Sequence, residues 1–185
     1  MTFVGTSTEP RLFVVTGIMA SGKSTVAQLL AERFTRSAHV RGDTFRRFVV
    51  SGRHEMSSTP TAEALAQLQL RYESAAACAD SYVTAGFTTI VQDNIFGPAL
   101  TDFLAMLKTR PLSLVVLSPS VEEVEQREAG RGKRGYGAFS PADLDAVLRN
   151  TTPRIGLWVD STGQTPAETV DEILRRTEES LIRLL

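Results

Sequence analysis

The sequence predicts an α/β fold: a parallel sheet covered by helices on both faces, in three layers. Short apolar runs at 12–17, 38–42, 87–92, 112–117 and 155–160 alternate with segments of helical spacing along the 185 residues. Such alternation builds parallel sheets, and strands buried on both faces read as near-continuous apolar runs. The first run leads directly into Gly17-Ile18-Met19-Ala20-Ser21-Gly22-Lys23-Ser24, which fits the phosphate-binding pattern G-x-x-x-x-G-K-[ST]. The pattern sits between a strand and a helix, the context that its chemistry requires. The chain length bounds the rest: 185 residues suit a single domain, 1–185, able to bury about 70% of its unfolded surface.

Each element has its own justification. Residues 1–10 read as a loose N-terminal tail. Leu12 to Thr16 is rich in β-formers, and the helix at 23–35 repeats apolar residues through Val26, Leu30 and Phe34. The strand at 38–42 leads to a helix at 43–51. A polar, turn-rich loop follows at 51–60 and reads as mobile on the acceptor side. Thr59-Pro60 puts a capping hydroxyl before a proline, which starts a long helix at 60–85. That helix repeats Leu65, Leu68, Tyr72, Ala75, Ala79 and Val83 at helical period. Its other face carries Gln67, Arg71 and Ser74. A solvated face is the ordinary reading of Arg71, and contact with substrate is the other.

After the strand at 87–92, a helix is expected at 97–109, a strand at 112–117 and a helix at 119–130. Residues 127–137 are glycine-rich and basic. Ser140-Pro141 and Thr165-Pro166 repeat the capping signal, starting helices at 140–150 and 165–184. Trp158, inside the last strand, reads as core.

Composition narrows the function classes. A net charge of −1 gives no general pull toward nucleic acid or an anionic membrane. No apolar stretch approaches the roughly 20 residues that a membrane span needs. Met1 to Pro10 lacks the basic start and apolar core of a signal peptide, so a cytoplasmic protein is expected. The single cysteine, Cys78, cannot form an internal disulfide and reads as an inert thiol among alanines. His39 and His54 have no nearby cysteine or carboxylate at ligand spacing. The only metal expected is Mg²⁺, arriving with a nucleotide.

The chemistry concentrates at strand ends. Gly17, Ala20, Ser21, Gly22, Lys23, Ser24 and Thr25 would wrap backbone N–H groups around a phosphate at a helix N-terminus. Lys23 would reach the β- and γ-phosphates, and the Ser24 hydroxyl would take a place on Mg²⁺. The second strand ends at Gly42-Asp43. Asp43 could orient and deprotonate an attacking hydroxyl, or merely cap the helix behind it. Arg46, a turn later, could hold a phosphate or the acceptor. The third strand ends at Gln92-Asp93-Asn94, where Asp93 could support Mg²⁺ or form a turn with Asn94. Arg127, Arg131, Lys133 and Arg134 would oppose a triphosphate in a lid at 127–140, or complement a helix end.

Taken together, these residues resemble the nucleoside-monophosphate-kinase-like branch of the phosphate-loop kinases, and chloramphenicol phosphotransferases in particular. The resemblance rests on Gly17–Ser24, Asp43, Asp93-Asn94-Ile95-Phe96-Gly97 and Arg127-Glu128-x-x-Arg131-Gly132-Lys133-Arg134. It implies a P-loop NTPase fold with a five-stranded parallel sheet in the order 2-3-1-4-5, a helical acceptor-binding region and a basic lid. It also implies that Asp43 is the base; Arg46, Arg71, Asp93 and Asn94 are the candidates expected beside it on the acceptor side. Adenine would pack between the lid and the turn Ser161-Thr162-Gly163-Gln164. Ala20 departs from the glycine that many such kinases carry, and is expected to keep a negative φ. Asp43-x-x-Arg46 and Lys133-Arg134-Gly135 are also similar to the 5′-hydroxyl polynucleotide kinases, and gluconate kinases share the Gly42-Asp43 position.

Three functions follow as expectations. One is an ATP- and Mg²⁺-dependent kinase acting on a small-molecule hydroxyl, with antibiotic resistance as one form of that role. Another is a polynucleotide or nucleoside kinase. The third is an ATP-gated regulatory switch, although the guanine-reading run Asn-Lys-x-Asp is absent. The expected partner is a small hydroxyl compound rather than nucleic acid or a membrane, and the expected state is a monomer or homodimer.

Overall fold

Alternation along the first strand sets the layers. Leu12 and Val14 pack on one face of the sheet, Phe13 and Val15 on the other, and all four are fully buried. The computed structural model describes residues 9–130 and 139–182. Its elements run β1 (Leu12–Gly17), α1 (Lys23–Ala31), β2 (Ser37–Arg41), α2 (Gly42–Arg47), α3 (Ala62–Thr84), β3 (Thr88–Gln92) and α4 (Pro98–Met106). They continue β4 (Leu112–Leu117), α5 (Val121–Ala129), α6 (Pro141–Thr151), β5 (Leu157–Val159), α7 (Pro166–Arg175), α8 (Thr177–Ser180) and β6 (Leu181–Ile182).

The parallel strands lie in the order β2-β3-β1-β4-β5. β1 is central, with Leu12 opposite both Thr89 of β3 and Leu112 of β4. One face buries Val26, Ala27 and Leu30 of α1 with Val170 and Ile173 of α7. The other buries Tyr72, Ala75, Ala76 and Ala79 of α3 with Leu100, Phe103 and Leu104 of α4. Val124 of α5 and Leu148 of α6 join that second core. A sheet covered this way on both faces is the P-loop NTPase arrangement, and it opens a crevice at the carboxyl ends of its strands.

Several elements differ from expectation. The long helix starts two residues later, because the Thr61 hydroxyl, not that of Thr59, accepts from the Ala64 N–H. Leu65, placed on the apolar stripe, is 49% exposed. The Ser140 and Thr165 caps form as reciprocal boxes with Asp143 and Glu168. The last helix, expected to reach 184, stops at Arg175. There the Thr177 hydroxyl turns back to the carbonyls of Ile173 and Leu174, and β6 then pairs antiparallel with Leu112 and Ser113 of β4. β5 pairs β4 only over Val115 to Leu117, so β6 covers the stretch of edge that β5 leaves open. Among the described residues no helix is long and apolar enough to cross a membrane.

Candidate functional site

The end of β1 is committed to a turn by close packing. A Cβ on Gly17, φ +145°, would lie 2.4 Å from the Leu117 carbonyl oxygen at the end of β4. Only glycine lets the two strand ends meet. The loop then curls so that Ser21 N–H reaches the Ile18 carbonyl and the Lys23 ammonium lies 2.6 Å from that same oxygen. Lys23 opens α1 and is 93% buried, so its charge is held inside the curl. Thr25 N–H is already bonded to the Gly22 carbonyl at 3.1 Å. Ala20 contradicts its expectation: its φ is +60°. The curl requires a left-handed residue here, which explains the usual glycine and costs an alanine about 1–2 kcal/mol. The Ser21 hydroxyl is buried against this curl without a hydrogen-bond partner. An orphaned buried donor beside a buried cation fits a phosphate-oxygen ligand.

Arg127, on α5, joins this loop to the far side of the crevice. Its guanidinium donates to the Ser21 carbonyl at 3.2 Å and to the Ser161 carbonyl at 3.1 Å, while Glu123 holds its Nε at 2.8 Å. The turn after β5 is therefore brought against the phosphate loop. Thr162 is shaped by Asp160, whose carboxyl its hydroxyl and amide hold below the usual range. Gly163 faces open space. Gln164 is engaged within the fold, its amide donating to Glu172 and accepting from Thr169. Arg131, Lys133 and Arg134 lie outside the described residues.

At the end of β3 the polar residues divide. The Ser24 hydroxyl donates to Gln92 Oε1 at 3.0 Å. Asp93 turns the other way, to a two-pronged pair with Arg71 Nε (2.6 Å) and Nη2, and it also accepts from the Asn94 N–H. Burial pushes the Asp93 carboxyl up, while Arg71, Asn94 and Lys23 pull it back down. This corrects the reading of Arg71 as a solvated helix residue: its side chain is only 14% exposed, and that of Asp93 2%. Gly42 is required by the same carboxylate, because a Cβ there would overlap Asp93 Oδ2. Tyr72 OH donates to the Asn94 carbonyl beside this cluster, and burial raises its phenol above its ordinary range.

A cavity of about 840 Å³ opens beside these groups, and both Met19 of the phosphate loop and Asp43 line it. Asp43 sits in the first turn of α2, its carboxylate 2.9 Å from Arg47. Arg46 lines the same cavity but is gripped through two nitrogens by Glu55. The connection at 51–60, expected to be mobile, is stitched down without regular structure. Gln67 of α3 bonds both the Gly52 carbonyl and the His54 N–H, and Glu55 adds Arg53 at 3.1 Å.

A family model described as "AAA domain" matches residues 12–153, which contain the ends of β1 to β4. The chain belongs to the AAA domain family. A comparison with curated proteins finds no match. Solved structures share the fold of this AAA domain. A sugar kinase from Janibacter sp. HTCC2649 is 18% identical with a TM-score of 0.67, over 92% of this chain and 96% of its own. The tunicamycin resistance protein of Deinococcus radiodurans is 18% identical with a TM-score of 0.66, over 95% of this chain and 100% of its own. A gluconokinase from Sinorhizobium meliloti 1021 is 20% identical with a TM-score of 0.61, over 90% of each chain.

Sequence reasoning missed several residues of this AAA domain's crevice. Gln92 interrupts an apolar run, and only the fold reveals that it faces Ser24. Glu55 carried no motif. Phe48, 69% exposed on the cavity wall and edge-to-face with Phe45, had one signal: two aromatics three residues apart in a short basic segment.

Proposed function

We propose that this AAA domain is a kinase that transfers the γ-phosphoryl group of ATP to the hydroxyl of a small molecule. The observation that carries the proposal is the shared wall: Met19 of the phosphate loop and the Asp43 carboxylate line one cavity. A donor held in the loop and an acceptor held in the cavity would meet at the same sheet edge.

In this reading the loop from Gly17 to Thr25 cradles the phosphates, and the Lys23 ammonium leaves the Ile18 carbonyl for the β- and γ-oxygens. Ser24 would hold Mg²⁺, with Asp93 acting on the site through its charge; the ion supplies neutralisation of the phosphate oxygens. Arg127 screens charge growing on the transferring group, and Thr162 and Gly163 border the base. Asp43 accepts the hydrogen bond of the acceptor hydroxyl and takes its proton. The acceptor oxygen forms a bond to the γ-phosphorus as the bond to the β–γ bridging oxygen breaks. ADP leaves, and the product is a phosphate monoester. The D. radiodurans neighbour is named a tunicamycin resistance protein, and phosphorylation of an antibiotic would be one setting for such chemistry in this chain.

Asp43→Asn tests the proposal. It keeps shape and hydrogen bonding but removes the charge and most of the basicity. General base catalysis contributes about 10²–10⁴-fold, so acceptor phosphorylation should fall within that range while ATP affinity holds. Wild-type transfer in the folded variant would reduce Asp43 to a residue of the first turn of α2.

A further inference from the structure

The acceptor cavity is ringed by charge that the protein has already spent. Among the described residues, four carboxylate or guanidinium side chains line it: Asp43, Arg46, Glu55 and Arg71. Each has an opposite charge within the fold. Asp43 pairs with Arg47, Arg46 with Glu55, and Arg71 with Asp93. Glu55 takes a second cation, Arg53, from outside the lining. The remaining wall is mostly apolar, with Met19, Phe45, Leu68, Phe96 and Phe139 on its surface. On the same wall, Phe48 and Leu70 stand 69% and 54% exposed and extend its apolar surface toward solvent.

Resting on the kinase reading, we infer that the acceptor is an uncharged amphipathic alcohol: a drug-sized aromatic or aliphatic body that brings one hydroxyl to Asp43. Three physical points carry this. An acceptor with a phosphate, sulfate or carboxylate needs a cation, and among the described residues both lining arginines are already paired. Arg71 can be recruited only by abandoning a buried carboxylate, which is strongly unfavourable, and Arg46 only in exchange for its bond to Glu55. A free sugar would press several hydroxyls against a wall in which apolar side chains outnumber the polar ones, His54, Ser57, Gln67, Tyr72, Ser74 and Asn94. The volume of about 840 Å³ falls within the roughly 300–1,000 Å³ typical of pockets for drug-sized ligands. The transfer step is the one set out above; the new element is the body that carries the hydroxyl.

The test has a binding arm and a turnover arm on the full chain. In the first, the uncharged dye Nile red is titrated by fluorescence and displaced by 4-phenylbutanol. Phe48→Glu and Leu70→Glu, both at exposed positions that fold stability tolerates, should each weaken dye binding at least tenfold, with unfolding midpoints near the parent's. In the second, phosphate transfer is followed by product mass with 4-phenylbutanol, glucose, gluconate and a 5′-hydroxyl oligonucleotide. The phenylalkanol should exceed the other three in kcat/KM by at least tenfold. The inference is overturned if the parent does not bind the dye, if both variants bind it unchanged, or if gluconate, glucose or the oligonucleotide is the equal or better acceptor. Dye binding and displacement without transfer to any acceptor, in a chain that also fails to bind ATP, would support the cavity's selectivity and overturn the kinase reading instead.

Discussion

In the kinase reading, Lys23 is the residue on which nucleotide chemistry would turn, and its surroundings define what its loss should do. The ammonium is buried in the curl of its own loop, against the Ile18 carbonyl, and acts electrostatically on Asp93. Lys23→Ala removes a preorganised cation while leaving the Gly17–Leu117 contact that shapes the turn. ATP affinity or turnover should drop by about an order of magnitude or more, measured by calorimetry and by single-turnover transfer. Unchanged binding and unchanged transfer in a folded variant would sink the phosphate-loop assignment. Residues of this kind were legible from sequence, because a phosphate nest needs fixed residue types at fixed spacing. Their pairings were not. Nothing in the chain announces that Ser24 bonds Gln92, or that Asp93 turns to Arg71, since those partners meet only when β3, α1 and α3 pack. The left-handed Ala20 was missed because backbone geometry in a tight curl overrides the residue's own preference.

Among the elements, α3 owes its seat to two consecutive residues. Arg71 grips Asp93, and Tyr72 donates to the Asn94 carbonyl, so the helix is fastened to the end of β3 just where the cavity opens. Arg71→Met should strand a buried carboxylate and destabilise the fold by about 3–5 kcal/mol, read by denaturant unfolding. Arg71→Met with Asp93→Asn should recover much of that loss, because no uncompensated charge is left behind. Additive penalties in the double variant would mean that the pair is not the fastening. Sequence periodicity found α3 and its buried face, yet left Arg71 between solvent and substrate, since period alone cannot distinguish a wet face from one that meets a buried acid. The same limit explains β6. An amphipathic run through 184 looks helical until β5 proves too short to cover Leu112 and Ser113. Strand order was legible only through the resemblance, whereas strand positions followed from short apolar runs that later elements bury on both faces.

At the scale of the molecule, stability should depend on pH through one histidine on the edge strand. His39 lies in β2, half-buried against α1, where its Nδ1 meets Gln28 Oε1 at 3.0 Å. Its Nε2 is buried and has no partner, so a second ring proton would have nowhere to donate. Burial, then the charge of Arg41, lower its pKa from 6.5 to about 4, against a smaller opposing pull from Asp43. The unfolded chain therefore binds the extra proton from about pH 6.5 downward, and the folded chain only near pH 4. Between those values the unfolded state carries more protons, so stability falls as pH is lowered through the window and is fully present above it. Solvent screening of a half-buried ring reduces the amplitude to about 1–2 kcal/mol. Carboxylates held low by their partners, such as Glu55 and Glu172, add their losses mainly below this range, and the raised Asp93 works in the opposite sense. A difference measurement isolates the histidine. His39→Asn keeps a donor toward Gln28 and cannot titrate, so its stability, followed by urea unfolding from pH 7 to pH 4.5, should decline less steeply than the parent's. Parallel curves for the two proteins across that range would show that His39 takes up its proton as readily folded as unfolded.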